Sequence, residues 1–318
     1  VTALTVYARL HLYPPDHAAG AEMMVHSMFR ALIARGHRVV VWLTRESVTV
    51  APYVLDGVSV YPVGSEVPDW DACDVVVSHL ENVPSAARAA LVHGKRFVNV
   101  VHNDRDMTRL WLHGHTDLVV YNSEWMAESL GRGPGRIIVR PPVIADDYRT
   151  TPGSRVTLVN LNAEKGGQLF AELARRMPDV DFLAVEGAYG DQVHPTGPNV
   201  RFLPHGQDMR AVYAQTRLLL MPSAYESWGR VGVEAMLSGI PVLAHPTPGL
   251  CESLSFAGIF LDRADPDSWV DAIRRLQDPD TYAVASGRAL ARAAELDPTE
   301  DLTRWCDAVE ALCCSPAI

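Results

Sequence analysis

Short apolar runs alternate with segments of helical period along the whole chain. The run "ALTVYARL" (3–10) reads as a strand, and "AEMMVHSMFRALIARG" behind it places Met24, Val25, Met28, Phe29, Leu32 and Ile33 on one helical face before Gly36 stops it. "RVVVWL", "CDVVVS", "RFVNVV" and "DLVVYN" continue the strand series, with helical candidates between them. The stretch "RPPVIADDYRTTPGSR" (140–155) is rich in Pro, Gly and polar residues, so a linker between two domains is expected there. Beyond it the alternation restarts with "VTLVNL", the helix "GGQLFAELARRM", and then "DFLAVEG", "NVRFLP", "RLLLMP" and "IPVLAH". Helical patterns over 266–314 close the chain. Strand and helix in turn imply parallel sheets covered on both faces. The expected fold class is therefore α/β, with two Rossmann-like doubly wound domains over 1–145 and 146–298 and a final helix, 299–318, packing back on the first.

Composition agrees with this division, since 318 residues exceed one typical core. A formal charge of −10 argues against an electrostatic grip on nucleic acid. Arginine supplies nearly all the positive charge, and the only lysines are Lys95 and Lys165. The five cysteines form no CxxC pair and no metal-like spacing with histidine, so a reducing cytoplasm is the expected location. No signal-peptide pattern opens the sequence, and no apolar run approaches the ~20 residues that would span a bilayer.

Ligands of open parallel sheets bind at the carboxyl ends of the strands, where loops turn into helices. In the first half those ends carry Gly20 in "HLYPPDHAAGAE" and His102 in "HNDRD", with His79 closing "DVVVSH". In the second half they carry Lys165 and Gly166 in "NAEKGG", and Glu226 and Gly229 in "SAYESWG". If the two sheet edges face each other, the ligand lies in the cleft between the domains. Glu226 and Glu234 are separated by seven residues, and a helix is predicted to begin near Trp228 or Gly229. Its unpaired N–H groups suit a phosphate. Eight helical residues span about 12 Å, comparable to a sugar nucleotide, so one acid can hold sugar hydroxyls while the other holds ribose hydroxyls. Lys165, followed by two glycines, offers a compact cation for a pyrophosphate. Five D-x-D triplets occur in this acidic chain, a frequency that reads as chance rather than as a metal site. "GRGPGR" (131–136) lacks the dinucleotide-binding spacing and a preceding strand.

The segment "PSAYESWGRVGVEAMLSGIPVLAHPTPGLCE" (222–252) resembles the E-x7-E signature region of retaining GT-B glycosyltransferases of family 4. "AGAEMMVHSMFRALIARGHRVVVW" is similar to the family's glycine loop and first helix, and "VVHND", "YNSEWMAESL" and "NAEKGG" follow in the family's order. The resemblance implies a GT-B fold, two domains facing across a cleft, and retaining transfer of a hexose-type sugar from a nucleotide-sugar donor to an acceptor hydroxyl. UDP-sugar is the favoured donor and GDP-sugar the alternative. A small soluble acceptor is favoured over a lipid or glycan, and no metal or other cofactor is expected. Residue by residue, Glu234 would bind ribose, Glu226 the transferred sugar and Lys165 the diphosphate. The amides of Ser227, Trp228 and Gly229 would contact sugar or phosphate, and Gly20 would close over the diphosphate. His102 would sit beside the reacting sugar, and the loop 203–209, with His205 and Met209, would border the base. Glu226, His102 and Lys165 would carry the chemistry, a front-face displacement in which the leaving phosphate helps deprotonate the acceptor. The chain departs from the family pattern in two places. Asn160 stands where an arginine usually shares the diphosphate, with Arg230 a candidate replacement. Pro248 and Gly249 stand where the family often has two glycines. Two other readings are a sugar-nucleotide epimerase or phosphorylase on a related scaffold, and a non-catalytic nucleotide-sugar-binding partner.

Overall fold

The computed structural model describes residues 2–66, 69–206 and 208–314, and its strands form two separate sheets. The chain divides into one unit of Val1–Pro142 with Pro298–Ile318, and a second of Val143–Asp297. The first boundary thus falls at 142 rather than the expected 145. The helix Thr299–Cys314 belongs to the first unit.

In the first unit, β1 (Thr5–Leu10), β2 (Arg38–Leu43), β3 (Tyr53–Leu55), β4 (Val58–Tyr61), β5 (Val75–His79), β6 (Arg96–Val101), β7 (Leu118–Tyr121) and β8 (Arg136–Ile138) lie in the order β3-β4-β2-β1-β5-β6-β7-β8. All neighbours are parallel except β3 and β4, a hairpin through Asp56-Gly57. Both turn residues have positive φ, 48° and 84°, as a two-residue turn matched to strand twist requires. The helix Gly20–Ala34 buries Met24, Val25, Met28, Phe29 and Leu32 against the sheet, joined by Trp305, Cys306 and Val309 of the final helix. The Trp305 indole donates to the Met28 carbonyl at 3.0 Å. His37 accepts the Leu4 amide on Nδ1 at 3.2 Å, and its Nε2 faces Glu310 at 3.0 Å, which ties that final helix to the start of the sheet.

The second unit contains β9 (Arg155–Val159), β10 (Phe182–Val185), β11 (Val200–Leu203), β12 (Thr216–Met221), β13 (Val242–Ala244) and β14 (Gly258–Phe260), all parallel in the order β11-β10-β9-β12-β13-β14. The order reverses direction between β9 and β12, so the crevice outside their carboxyl ends is the topological switch point of the sheet. β3, β4, β8 and β14, each three or four residues long, are absent from the pattern reading.

The helical tail is three helices, Pro266–Arg275, Pro279–Glu295 and Thr299–Cys314. The first two open with proline behind an aspartate cap, Asp265 and Asp278, which satisfies amides that the first turn leaves free. Among the described residues no helix is long and apolar enough to cross a membrane.

Candidate active site

Two loops of the second unit meet at the switch point. The loop after β9 runs from Asn160 to Gly166 and enters the helix Gly167–Arg176; the loop after β12 runs from Pro222 to Gly229 and enters the helix Arg230–Met236. Both helices are entered through a left-handed glycine, Gly166 (φ 90°) and Gly229 (φ 85°). A Cβ on Gly166 would stand 2.4 Å from Pro222 Cγ, and one on Gly229 2.4 Å from Leu250 Cδ2, so only glycine fits either turn. The Ala224 amide donates to the Glu164 carbonyl at 2.7 Å and joins the loops directly. Arg263, beyond β14, donates to the Ala163 carbonyl at 3.1 Å. Gly249 packs on the peptide of Glu226 and Ser227, where a Cβ would lie 2.3 Å from the Glu226 oxygen. One glycine at 249, preceded by Pro248 at the start of its helix, is enough for that close approach.

Lys165 and Glu226 are brought together. Lys165 Nζ donates to Glu226 Oε1 at 2.5 Å, and Ser223 Oγ donates to the same oxygen at 3.0 Å. The Lys165 amide is fixed by Asn162 Oδ1 at 2.9 Å. Burial works against the lysine's charge, but Glu226 and Tyr189 outweigh it and hold the pKa above the ordinary lysine value. The two side chains are 18% and 14% exposed, enough for an entering ligand to reach them.

Glu234 lies in a different environment, 4% exposed within a buried polar group. Arg230 Nε donates to its Oε1 at 2.7 Å, the Tyr213 hydroxyl donates to its Oε2 at 2.7 Å, and Arg230 donates onward to the Tyr148 hydroxyl at 2.9 Å. Burial pushes the Glu234 carboxyl up, against the pull of Arg230 and Tyr213. Each carboxylate oxygen keeps a further lone pair, which is what a ribose hydroxyl would use. Arg230, named above as a candidate replacement for an arginine at 160, is 6% exposed and engaged with Glu234 and Tyr148.

The other expected donor residues are spread more widely. Asn160, 7% exposed with φ 68°, accepts from Gln192 at 3.0 Å and holds a neighbouring loop. Trp228 is buried in the apolar core, its carbonyl accepting from Ser253 Oγ at 2.5 Å, and its indole nitrogen has no hydrogen-bond partner among the described residues. Ser227 is half-buried beside it. The helix starts at Arg230 rather than at Trp228, with Gly229 as its cap. His205 is exposed, its amide donating to Glu186 at 3.2 Å, and Met209 opens the helix Met209–Tyr213. Gln207 of the same loop lies outside the described residues.

Gly20 and His102 belong to the first unit. Gly20 begins a helix, is exposed, and has nothing within 4 Å of where a Cβ would stand. His102 Nε2 lies 3.0 Å from Nδ1 of His79. Burial holds His102 down to about 4 and His79 well below the usual histidine value, so the pair is neutral at neutral pH. Beyond β1, Glu22 is 6% exposed and its carboxyl is raised by burial to about 7. Pattern reading misses Glu22 because it looks like an ordinary first-turn acid.

One aspartate of each D-x-D triplet is occupied elsewhere. Asp69, Asp265 and Asp278 accept from amides at helix starts, while Asp104 pairs with Arg109 and Asp179 with Arg274.

Across nearly its whole length the chain superposes on solved structures. Anabaena HepE in complex with UDP and glucose matches with a TM-score of 0.78 at 16% identity, over 97% of this chain and 100% of that one. Sucrose-phosphate synthase from Thermosynechococcus elongatus matches with a TM-score of 0.75 at 15% identity, over 94% and 96%. The fold is GT-B. Within this GT-B chain, residues 161–278 match the family described as glycosyl transferases group 1, a span that holds Lys165, Glu226 and Glu234. The D-inositol 3-phosphate glycosyltransferase of Nocardioides sp. is 36% identical over 104 residues, 31% of this chain and 22% of that protein. The O-antigen chain mannosyltransferase B of Escherichia coli is 32% identical over 99 residues, 30% and 26% of the two chains. The aligned segment thus spans about a fifth to a quarter of the length of these relatives.

Proposed function

We propose that this protein is a retaining glycosyltransferase that moves a hexose-type sugar from a nucleotide sugar to an acceptor hydroxyl without a metal ion. The observation that carries the reading is the Lys165–Glu226 pair at the switch point of the second sheet, inside the span that matches the group 1 glycosyl transferases. An ammonium there opposes the charge that builds on a leaving diphosphate, and an adjacent carboxylate accepts hydrogen bonds from sugar hydroxyls. Donor entry exchanges partners: Lys165 turns to phosphate, and Glu226 is released to the sugar. Glu234, held by Arg230 and Tyr213, uses its remaining lone pairs for the ribose. Uridine is the proposed base, a choice that the HepE complex with UDP and glucose favours. The names of the relatives lean toward a small polyol or glycan hydroxyl as acceptor.

The proposed retaining course rests on the resemblance of 222–252 to the E-x7-E region of retaining enzymes. Glu226 is assigned to sugar hydroxyls and Glu234, buried with Arg230 and Tyr213, to the ribose, so no covalent intermediate on either is proposed. Attack and departure on one face, with the leaving phosphate taking the acceptor proton, is the mechanism proposed.

Metal independence is tested with the same assay. Nucleoside diphosphate release from a panel of UDP- and GDP-sugars is expected to be equal in EDTA and in Mg²⁺ or Mn²⁺, because Lys165 meets the leaving group and one aspartate of each D-x-D triplet serves a cap or an ion pair. Activity abolished by EDTA and restored by Mn²⁺ would overturn this part of the reading.

A further inference from the structure

We propose that Gln192 is a positioning residue of the donor site: it clasps the loop after β10 to the loop after β9 and, through Asn160 and Asn162, sets where Lys165 stands. The proposal rests on the nucleotide-sugar reading above and deepens it, since Gln192 acts on the donor only through its neighbours.

The two loops are joined first by their backbones. Asn162 and Gln192 form an isolated antiparallel bridge, and the Val193 amide donates to the Leu161 carbonyl at 3.0 Å. The Gln192 side chain then links the same loops a second time. Its Oε1 accepts the amides of Leu161 at 2.8 Å and Gly187 at 3.0 Å. Its Nε2 donates to the carbonyls of Tyr189 and Gly190, each at 2.9 Å, and to Asn160 Oδ1 at 3.0 Å. Turned end for end, the amide would set its oxygen against three oxygens and its nitrogen against two N–H groups, so the partners fix its orientation.

From Gln192 the contacts run on to the lysine. Asn160 Oδ1 also accepts the Asn162 amide at 3.3 Å, and Asn162 Oδ1 accepts the Lys165 amide at 2.9 Å. Asn162 Nδ2 donates back to the Tyr189 carbonyl at 3.4 Å. Asn160 holds φ at 68°, a left-handed conformation that asparagine tolerates better than most residues. Two glycines permit the close approach: a Cβ on Gly187 would stand 2.1 Å from Asn160 Cγ, and one on Gly167 1.9 Å from the Leu161 oxygen. Three side-chain amides in series thus place the backbone that carries the ammonium. Gln192 is half-buried, so water can take over its partners when it is lost, and the fold survives. The position of the ammonium does not, and a misplacement of about 1 Å can cost roughly a hundredfold in rate.

A double-mutant cycle tests this, read as steady-state release of nucleoside diphosphate at saturating donor. Gln192→Ala should lower kcat roughly tenfold or more in the wild-type background, with a melting temperature only a few degrees lower. In the Lys165→Ala background the same change should alter the residual rate by less than twofold, because no ammonium is left to misplace. A merely structural residue would lower both backgrounds by the same factor, and that result would overturn the proposal. A kcat within twofold of wild type in Gln192→Ala would overturn it as well. Gln192→Glu has the same shape and serves if the alanine variant does not fold. It keeps an oxygen for Leu161 and Gly187 but sets a carboxylate against the oxygens of Tyr189, Gly190 and Asn160, so the same loss, again confined to chains that keep Lys165, is expected. If wild type releases nucleoside diphosphate from no nucleotide sugar, the donor reading itself fails and this proposal goes with it.

Discussion

Lys165→Ala is expected to lower kcat by roughly a hundredfold or more while the protein remains folded, the size seen when one preorganised donor to a developing anion is lost. The fold of its loop does not depend on the ammonium. The Lys165 amide is held by Asn162, Gly166 supplies the turn, and the Ala224 amide ties the loop to its neighbour. What the substitution removes is the charge facing the diphosphate, and Asn160, a neutral amide held by Gln192, offers no second cation. Lys165→Arg should recover only part of the rate, since a planar fork does not occupy the place of a compact ammonium. Steady-state release of nucleoside diphosphate at saturating donor measures the effect. More than half the wild-type rate in the alanine variant would contradict it.

Glu234→Ala is expected to act on stability and affinity at once. Removing the carboxylate leaves Arg230 buried with only its remaining partners, and breaking one side of a buried ion pair costs about 3–5 kcal/mol. The Tyr213 hydroxyl loses its acceptor in the same step. Replacing both members, Arg230→Met with Glu234→Leu, should be far less damaging to stability than the single change, because no charge is stranded. Glu234→Gln keeps the volume and one acceptor, and it separates the ligand effect: nucleoside diphosphate affinity should fall by about 1.5–3 kcal/mol, as for a lost charged hydrogen bond. Thermal unfolding reads the first effect and calorimetry the second. A wild-type melting temperature for Glu234→Ala, together with unchanged diphosphate affinity for Glu234→Gln, would remove both the structural and the ribose role.

The two predictions draw on features of different legibility. Lys165 and Glu226 could be found from the chain because each follows a strongly apolar strand at a glycine-rich turn, and the strand order that places β9 beside β12 is a common one for such folds. The strand cores of β2 and β6 coincide with their apolar runs, since strands buried on both faces are continuous in hydrophobicity. Arg230 and Glu234 are one helical turn apart, a spacing visible in the sequence, but their burial comes from Tyr148 and Tyr213, which lie far along the chain. Local pattern does not foretell that. Asn160 stands where the family pattern has an arginine, and its side chain takes Gln192, a contact 32 residues away. The hairpin at Asp56-Gly57 carried a recognised turn signal, but strands of three and four residues leave no period around it.

The measurement that tests the central claim most directly is proton NMR of the initial product formed from an α-linked nucleotide sugar. Consumption of the nucleotide sugar, release of nucleoside diphosphate and appearance of an α-linked product are the results this account predicts, with all three lost in Lys165→Ala. A β-linked product would contradict retention. Tight binding of nucleotide sugars with no turnover toward any acceptor or water would make the protein a binder, and would contradict the claim that Lys165 and Glu226 serve glycosyl transfer.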